Sequence, residues 1–225
     1  MLADNFQNNK RQEVKSDFTS DGKIISLLNF LELHLPKFSE NYQKNDKEDE
    51  WNLNEELFAF LDIYSRDYAF QFIPEYRYKN KSRPDFGIKE VKTDEAGIYT
   101  YDKKAEHFFD IECKRLYHPT ISKKYVSGKT GGIQRFKENR HGVNLPYSAM
   151  IGYVEIENFK FWHKKVNSWI SIKEEHLKFE VNKIANVEIN KMAKLKSTHI
   201  RNIENTKIEL THFWVKIRNS KLILI

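Results

Sequence analysis

Apolar residues recur at helical spacing in two early stretches and at alternating spacing in several later ones. From Ile24 to Leu35 the sequence IISLLNFLELHL predicts a short helix closed by Pro36, whose ring disrupts a helix interior. From Trp51 to Tyr68 the positions Leu53, Leu57, Phe60, Leu61, Tyr64 and Tyr68 share one helical stripe and predict a second helix. The intervening NYQKNDKEDE, Asn41 to Glu50, reads as a charged surface connection. Met1 to Asp21 is polar and expected to be poorly ordered at its start.

The pattern then changes to extended segments. Phe70 to Tyr78 alternates aromatic and polar residues, and Asp85 to Val91 (DFGIKEV) follows as a second strand. Residues 93–97 read as a turn, and 98–101 as another extended piece. Phe108 to Leu116 is the expected central strand. A glycine-rich break at Gly131-Gly132 precedes a helix from about Ile133 to Arg140. Ala149 to Ile156 (AMIGYVEI) predicts a buried strand, followed by a helix over Asn158 to Ile172. A Lys-rich segment, Asn182 to Lys196, leads to two extended runs, Ile208 to Ile217 and Lys221 to Ile225, read as a hairpin around Arg218-Asn219-Ser220. This order predicts an α/β protein with a mixed central β-sheet flanked by helices and extra C-terminal strands. The expected divisions are an N-terminal segment and helix over 1–50, a core over 51–180, and a C-terminal extension over 181–225 packing on the same domain.

Composition narrows the class. The 225 residues suffice for one sizeable core, and 40% hydrophobic with 31% charged is ordinary for a globular chain. No apolar run reaches the roughly 20 residues of a membrane span, and the polar start lacks a signal-peptide core, so a cytoplasmic protein without membrane contact is expected. A single cysteine excludes an intramolecular disulfide and a Cys-based zinc cluster. Charge is unevenly spread. Between Lys114 and Arg140 eight basic residues face Glu138 alone, a local +7 where the whole chain carries +6. Such a concentration attracts a polyanion and makes its binding salt-dependent.

The basic run begins at the most informative motif. Pro84-Asp85 stands at a strand entrance, and Asp110-Ile111-Glu112-Cys113-Lys114 lies inside the apolar-flanked central strand. Strand side chains alternate, so Glu112 and Lys114 point one way with Asp110 behind them, while Phe109, Ile111 and Cys113 point into a core. Carboxylates beside an ammonium suit metal-assisted phosphodiester cleavage. Magnesium takes one or two carboxylates plus waters and phosphate oxygens. Asp85 and Glu112 are the expected metal ligands for Mg2+ or Mn2+, helped by a backbone carbonyl such as that of Cys113. Lys114 would stabilise developing charge and orient or help deprotonate the attacking water.

At Pro84-Asp85 and Glu112-Cys113-Lys114 the chain resembles the PD-(D/E)XK nuclease superfamily, over roughly Trp51 to Val154. The resemblance implies a restriction endonuclease-like core: a helix, a three-stranded antiparallel meander, a helix and a further strand. It also implies an additional acidic residue on the first core helix, for which Glu56, beside the apolar stripe, is the better placed. Glu-x-Lys also occurs at Glu13 and Glu90, and only the Glu112 copy combines apolar flanks with an upstream Pro-Asp. Gly131-Gly132-Ile133-Gln134-Arg135 reads as a helix entrance where amides could meet a phosphate, or as a simple cap. Lys123, Lys124, Gln134 and Arg135 are the expected nucleic-acid contacts. Cys113 as a nucleophile is disfavoured by its buried strand phase. An Asn-Arg-His stretch at 139–141 has little support as a separate nuclease motif.

The expectation is a magnesium-dependent nuclease cleaving DNA rather than RNA, in a restriction-like or anti-phage defence setting that rests on the family resemblance alone. A homodimer, or a place in a larger defence complex, is implied by the same resemblance. The alternative is a catalytically inactive subunit of this fold that binds nucleic acid or a partner protein.

Overall fold

Helix α1 (Ser20–Asn41) runs straight through Pro36 instead of stopping there. A proline in a helix interior costs about 3 kcal/mol. Leu35 and Phe38 on either side of it are both buried, and each such burial returns about 1.5–3 kcal/mol. Packing therefore overrides the breaker. The computed structural model describes residues 20–44, 49–77, 82–93, 99–100, 107–180, 191–203 and 205–219. The expected N-terminal polar segment up to residue 19, all but the first residue of the turn at 93–97, and the last extended run, 221–225, lie outside them.

After α1 come β1 (Gln43–Lys44), α2 (Glu50–Ser65), β2 (Phe70–Pro74), β3 (Phe86–Glu90), β4 (Lys92–Thr93), β5 (Tyr99–Thr100) and β6 (His107–Leu116). A 3-10 turn (Ile121–Tyr125) and the short α3 (Gly132–Lys137) precede β7 (Tyr147–Val154) and α4 (Phe159–Trp169). The chain continues through β8 (Lys178–Phe179), β9 (Met192–Ile200), β10 (Lys207–Lys216) and β11 (Arg218–Asn219). Seven strands form one mixed sheet in the order β2-β3-β6-β7-β10-β9-β8. The β2-β3-β6 ladder is antiparallel, whereas β7 runs parallel to both β6 and β10.

The C-terminal part differs from expectation. Met192–Ile200, read only as Lys-rich, is a strand whose inward positions Leu195, Ser197 and His199 alternate with exposed Lys196, Thr198 and Ile200. It pairs antiparallel with β10, so the hairpin precedes β10. Residues 218–219 instead pair in parallel with β1.

Helices cover both sheet faces. Buried residues of α1 and α2, among them Phe30, Leu31, Leu57 and Leu61, pack with Phe109, Ile111 and Cys113 of β6. On the opposite face Tyr125, Ile133, Phe136 and Trp162 pack with Leu116, Met150 and Trp214. The strand phase expected for β6 is observed, but the face carrying Glu112 is a second core rather than an open surface. Asp110 and Glu112 are consequently fully buried.

A buried hydrogen-bond chain ties this second core together. Trp214 Nε1 donates to the Tyr125 hydroxyl at 2.9 Å. The Glu175 carboxylate at the far end of the chain is acceptor-only, so with neutral imidazoles the Tyr125 O–H donates onward to His212 Nδ1, 2.8 Å away. His212 Nε2 then donates to Ser197, whose hydroxyl donates to His199 Nε2, both at 2.7 Å. His199 Nδ1 donates to the Glu175 carboxylate at 3.1 Å, and Lys137 at the end of α3 grips the same carboxylate at 2.7 Å. One proton arrangement satisfies every member with both imidazoles neutral.

Candidate active site

Asp85 precedes β3, and the Phe86↔Ile111 pairing brings it level with Glu112 on β6. Its Oδ2 accepts the Cys113 N–H at 2.6 Å, so the central strand itself orients the carboxyl. Lys114 Nζ lies 2.9 Å from Glu112 Oε1, and it donates to Glu50 Oε1 and the Cys113 carbonyl, each at 2.7 Å. Arg135 of α3 donates to Glu112 Oε1 at 2.6 Å. On the other side His141 Nδ1 stands 3.1 Å from Glu112 Oε2, without the alignment of a hydrogen bond.

Asp110 fixes the turn that delivers His141. It accepts the Gly142 N–H at 2.6 Å and also contacts the His107 ring. Gly142 sits at φ +60°, and a Cβ there would come within 2.8 Å of Ser148 Oγ, so glycine is demanded twice over. The Asn-Arg-His-Gly stretch therefore serves to back the Glu112 carboxylate.

The electrostatics follow from burial and mutual proximity. Burial and then the Glu112 carboxylate push Asp85 up to about 8, against the pull of Lys114 and the Cys113 N–H. Burial would likewise raise Glu112, but Lys114, His141 and Arg135 outweigh it and hold that carboxyl at about 2. For Lys114 burial is outweighed by Glu112, Asp85 and Glu50, which raise it above its ordinary value. Lys114 is thus a fixed ammonium, fit for charge stabilisation and unfit to take a proton from water. Burial pushes the Cys113 thiol well up, which leaves it inert as a nucleophile.

These residues meet at a cleft of about 480 Å³, lined by the carboxylates Glu50 and Asp85 and the cations Arg83, Lys114, Arg115, Lys124 and Arg135. Of the expected site residues, Asp85, Lys114 and Lys124 line the cleft, while Glu112 and Cys113 are fully buried behind them. Arg135 reaches the site by gripping Glu112. Lys123 is exposed and outside the cleft lining. Gln134 donates to Glu138 at 2.7 Å, within its own helix. Glu56 is exposed and makes no contact with these groups among the described residues; Glu50, the first residue of α2, is the acid of that helix that bonds Lys114. The only signal for Glu50 was its position beside Asp49, which caps α2 by accepting the Asn52 N–H.

Two further expectations change. The basic run is largely neutralised in space: Arg115 pairs with Glu155, Lys137 with Glu175 and Arg140 with Glu138, besides Lys114 and Arg135 on Glu112. The glycines before α3 allow close packing within the protein. A Cβ at Gly132 would lie 2.2 Å from Met150 Cε, and one at Gly131 would lie 2.5 Å from the Ser127 carbonyl carbon.

Among the described residues no three Asp, Glu, His or Cys side chains form a ready-made metal cage. Asp85 stands across the ladder from Glu112, but Glu112 Oε1 already serves Arg135 and Lys114 and the Cys113 carbonyl accepts from Lys114, so a cation at this pair would displace those partners. Burial and then the Glu112 carboxylate push Asp85 toward its protonated form at the cleft wall, where a hard cation that keeps several waters would favour the ionised form. No described helix is long and apolar enough to cross a membrane. Comparison with models of protein families, with curated proteins and with solved structures gives no match to this chain.

Proposed function

We propose that this chain is a metal-dependent nuclease of PD-(D/E)XK type that hydrolyses phosphodiester bonds, in DNA rather than RNA. The observation that carries the reading is that Asp85 and Lys114 line one cation-rich cleft, with Glu112 buried directly behind Lys114. Supporting it, α2, the antiparallel β2-β3-β6 meander, α3 and β7 follow one another in the order expected of the family core. A restriction-like or anti-phage role extends this by family analogy.

Lys114 is held positive beside the cleft, where it stabilises negative charge growing on the phosphate. Asp85, once ionised, accepts a proton or positions water from the cleft wall. Arg135 fixes Glu112 and the Cys113 N–H fixes Asp85, so these carboxyl groups are held in place as charge develops. Asp85, Glu112 and the Cys113 carbonyl would hold Mg2+ or Mn2+, which when bound supplies Lewis-acid polarisation and a more acidic water.

One observation favours the second reading, a non-catalytic binding subunit. Glu112 has no exposed surface, and its Oε1 is already shared by two cations. Titration with Mn2+ separates the two. The nuclease reading expects one cation bound per chain with proton release near neutral pH, and none bound by Asp85→Asn. A wild type that binds no cation supports the binding subunit.

A further inference from the structure

Asp85 also lines a second cleft, of about 510 Å³, which the Arg83–Glu75 ion pair at 3.0 Å joins to the first. Its character is opposite to the first. Trp51, Phe58, Pro74 and Phe86 supply apolar surface, with the carboxylates Glu55 and Glu75 at the rim. The Phe58 and Phe86 rings stack at 6.3 Å and 19°. Trp51 is 57% exposed, whereas Trp162 and Trp214 are fully buried. The indole is carried by the residue after Glu50, the carboxylate that holds Lys114.

We infer that this cleft receives an unpaired nucleobase next to the scissile phosphate, so that the substrate is single-stranded or locally unpaired at the cut. The inference rests on the nuclease reading for the identity of the polymer. Three observations choose the occupant. The clefts share Asp85, so a chain whose phosphate lies among Lys114, Lys124 and Arg83 has its adjoining base within reach of Trp51. Glu55 repels a phosphate, which disfavours the backbone on this side, while Glu75 is already paired with Arg83 at 3.0 Å. The Glu55 carboxylate accepts hydrogen bonds from exocyclic amino groups, favouring cytosine and adenine over thymine or uracil. Stacking on an exposed indole gains its energy from any base face, and a base confined in a duplex cannot offer that face.

The test is equilibrium binding of labelled 12-nucleotide DNA and RNA strands, and of a blunt DNA duplex, to the full chain in EDTA, so that cleavage plays no part. Wild type is expected to bind oligo-dC more tightly than oligo-dT and either more tightly than the duplex, with quenching of tryptophan fluorescence. Trp51→Ala should weaken single-strand binding about tenfold while leaving duplex binding within twofold, and Trp51→Phe should recover most of the loss. The DNA and RNA arms show which sugar the cleft tolerates. Equal loss on single strand and duplex, no loss on either, or no binding of any polynucleotide would overturn the inference. Trp51-dependent binding in a chain that never cleaves would uphold this cleft and remove only the catalytic reading.

Discussion

Glu50 Oε1 and Lys114 Nζ lie 2.7 Å apart, joining the first residue of α2 to the central strand across 64 positions of sequence. Glu50 Oε2 also accepts the Arg115 N–H at 3.3 Å, so one carboxylate fixes both the ammonium and the strand bearing it. A hydrogen bond to a charged group contributes about 1.5–3 kcal/mol, roughly ten- to hundredfold in rate if it is needed in the transition state. Glu50→Gln should therefore slow cleavage by about tenfold or more, and Glu56→Gln should leave it unchanged. Parallel rate measurements on the two variants check the assignment.

The buried pair at the centre predicts both a kinetic and a stability effect. Lys114→Met and Glu112→Gln should each lower the cleavage rate by at least about 10²-fold, in line with the loss of a preorganised charge. Removing one partner of a buried ion pair costs about 3–5 kcal/mol, so both variants should also melt at lower temperature. Circular dichroism at the assay temperature separates lost chemistry from lost fold.

Asp85 sets the pH dependence. Its folded value of about 8 lies above its ordinary 3.8, so between those values the native state keeps a proton that the unfolded chain has released. Stability should therefore fall as pH rises from about 4 to about 8 and then level off. Cation binding should strengthen over the same range, because the cation must displace that proton. Magnesium titrations at pH 6, 7 and 8 read this directly, and Asp85→Asn should flatten the trend.

The Tyr125–His212–Ser197–His199–Glu175 chain predicts the opposite trend in acid. Burial lowers His212 well below 6.5, and it lowers His199 against the pull of Glu175. Both imidazoles are neutral in the fold, so the unfolded chain gains protons first as pH drops below about 6.5, and stability is lost from there downward. Below about 4.5 protonation of Glu175, held at about 2 by His199 and Lys137 against burial, adds to the loss. Urea unfolding of Asp85→Asn, which lacks the opposing Asp85 trend, should show this limb across pH 4 to 8, and adding His212→Gln should shorten it.

Salt dependence distinguishes cations of the cleft from cations of the surface. Lys124→Ala should weaken oligonucleotide binding and reduce the salt slope by about 0.7–0.9, the share of one phosphate contact. Lys123→Ala, outside the cleft, should change the slope much less. Binding measured between 50 and 200 mM salt, about the range over which counterion release is visible, checks the difference.

The strands that carry the site were legible because their chemistry is local. Alternation in Phe108 to Leu116 assigns Glu112 and Lys114 to one face and Cys113 to the other, and core membership follows that phase, with Phe109, Ile111 and Cys113 in one core and Leu116 in the other. What escaped depends on partners far along the chain. Glu50 looked like one more acid in a charged connection until α2 turned it toward β6. The basic run looked like a bare patch because Glu155 and Glu175, which neutralise part of it, lie well downstream. Pro36 failed as a helix stop because Phe38 beyond it has a buried place. The strand Met192–Ile200 was hidden by Lys194, which pairs with Glu32 and Glu180, by the exposed Lys196, and by polar residues buried in a hydrogen-bond chain.

The most direct test of the central claim is cleavage of single-stranded and duplex DNA, alongside RNA, by wild type, Glu112→Gln and Lys114→Met, with magnesium or with EDTA. The account predicts metal-dependent cleavage of DNA by wild type alone, with both variants at least about 10²-fold slower while folded. Cleavage that persists equally in EDTA or in the variants, or a folded wild type that binds DNA and never cuts it, would contradict it.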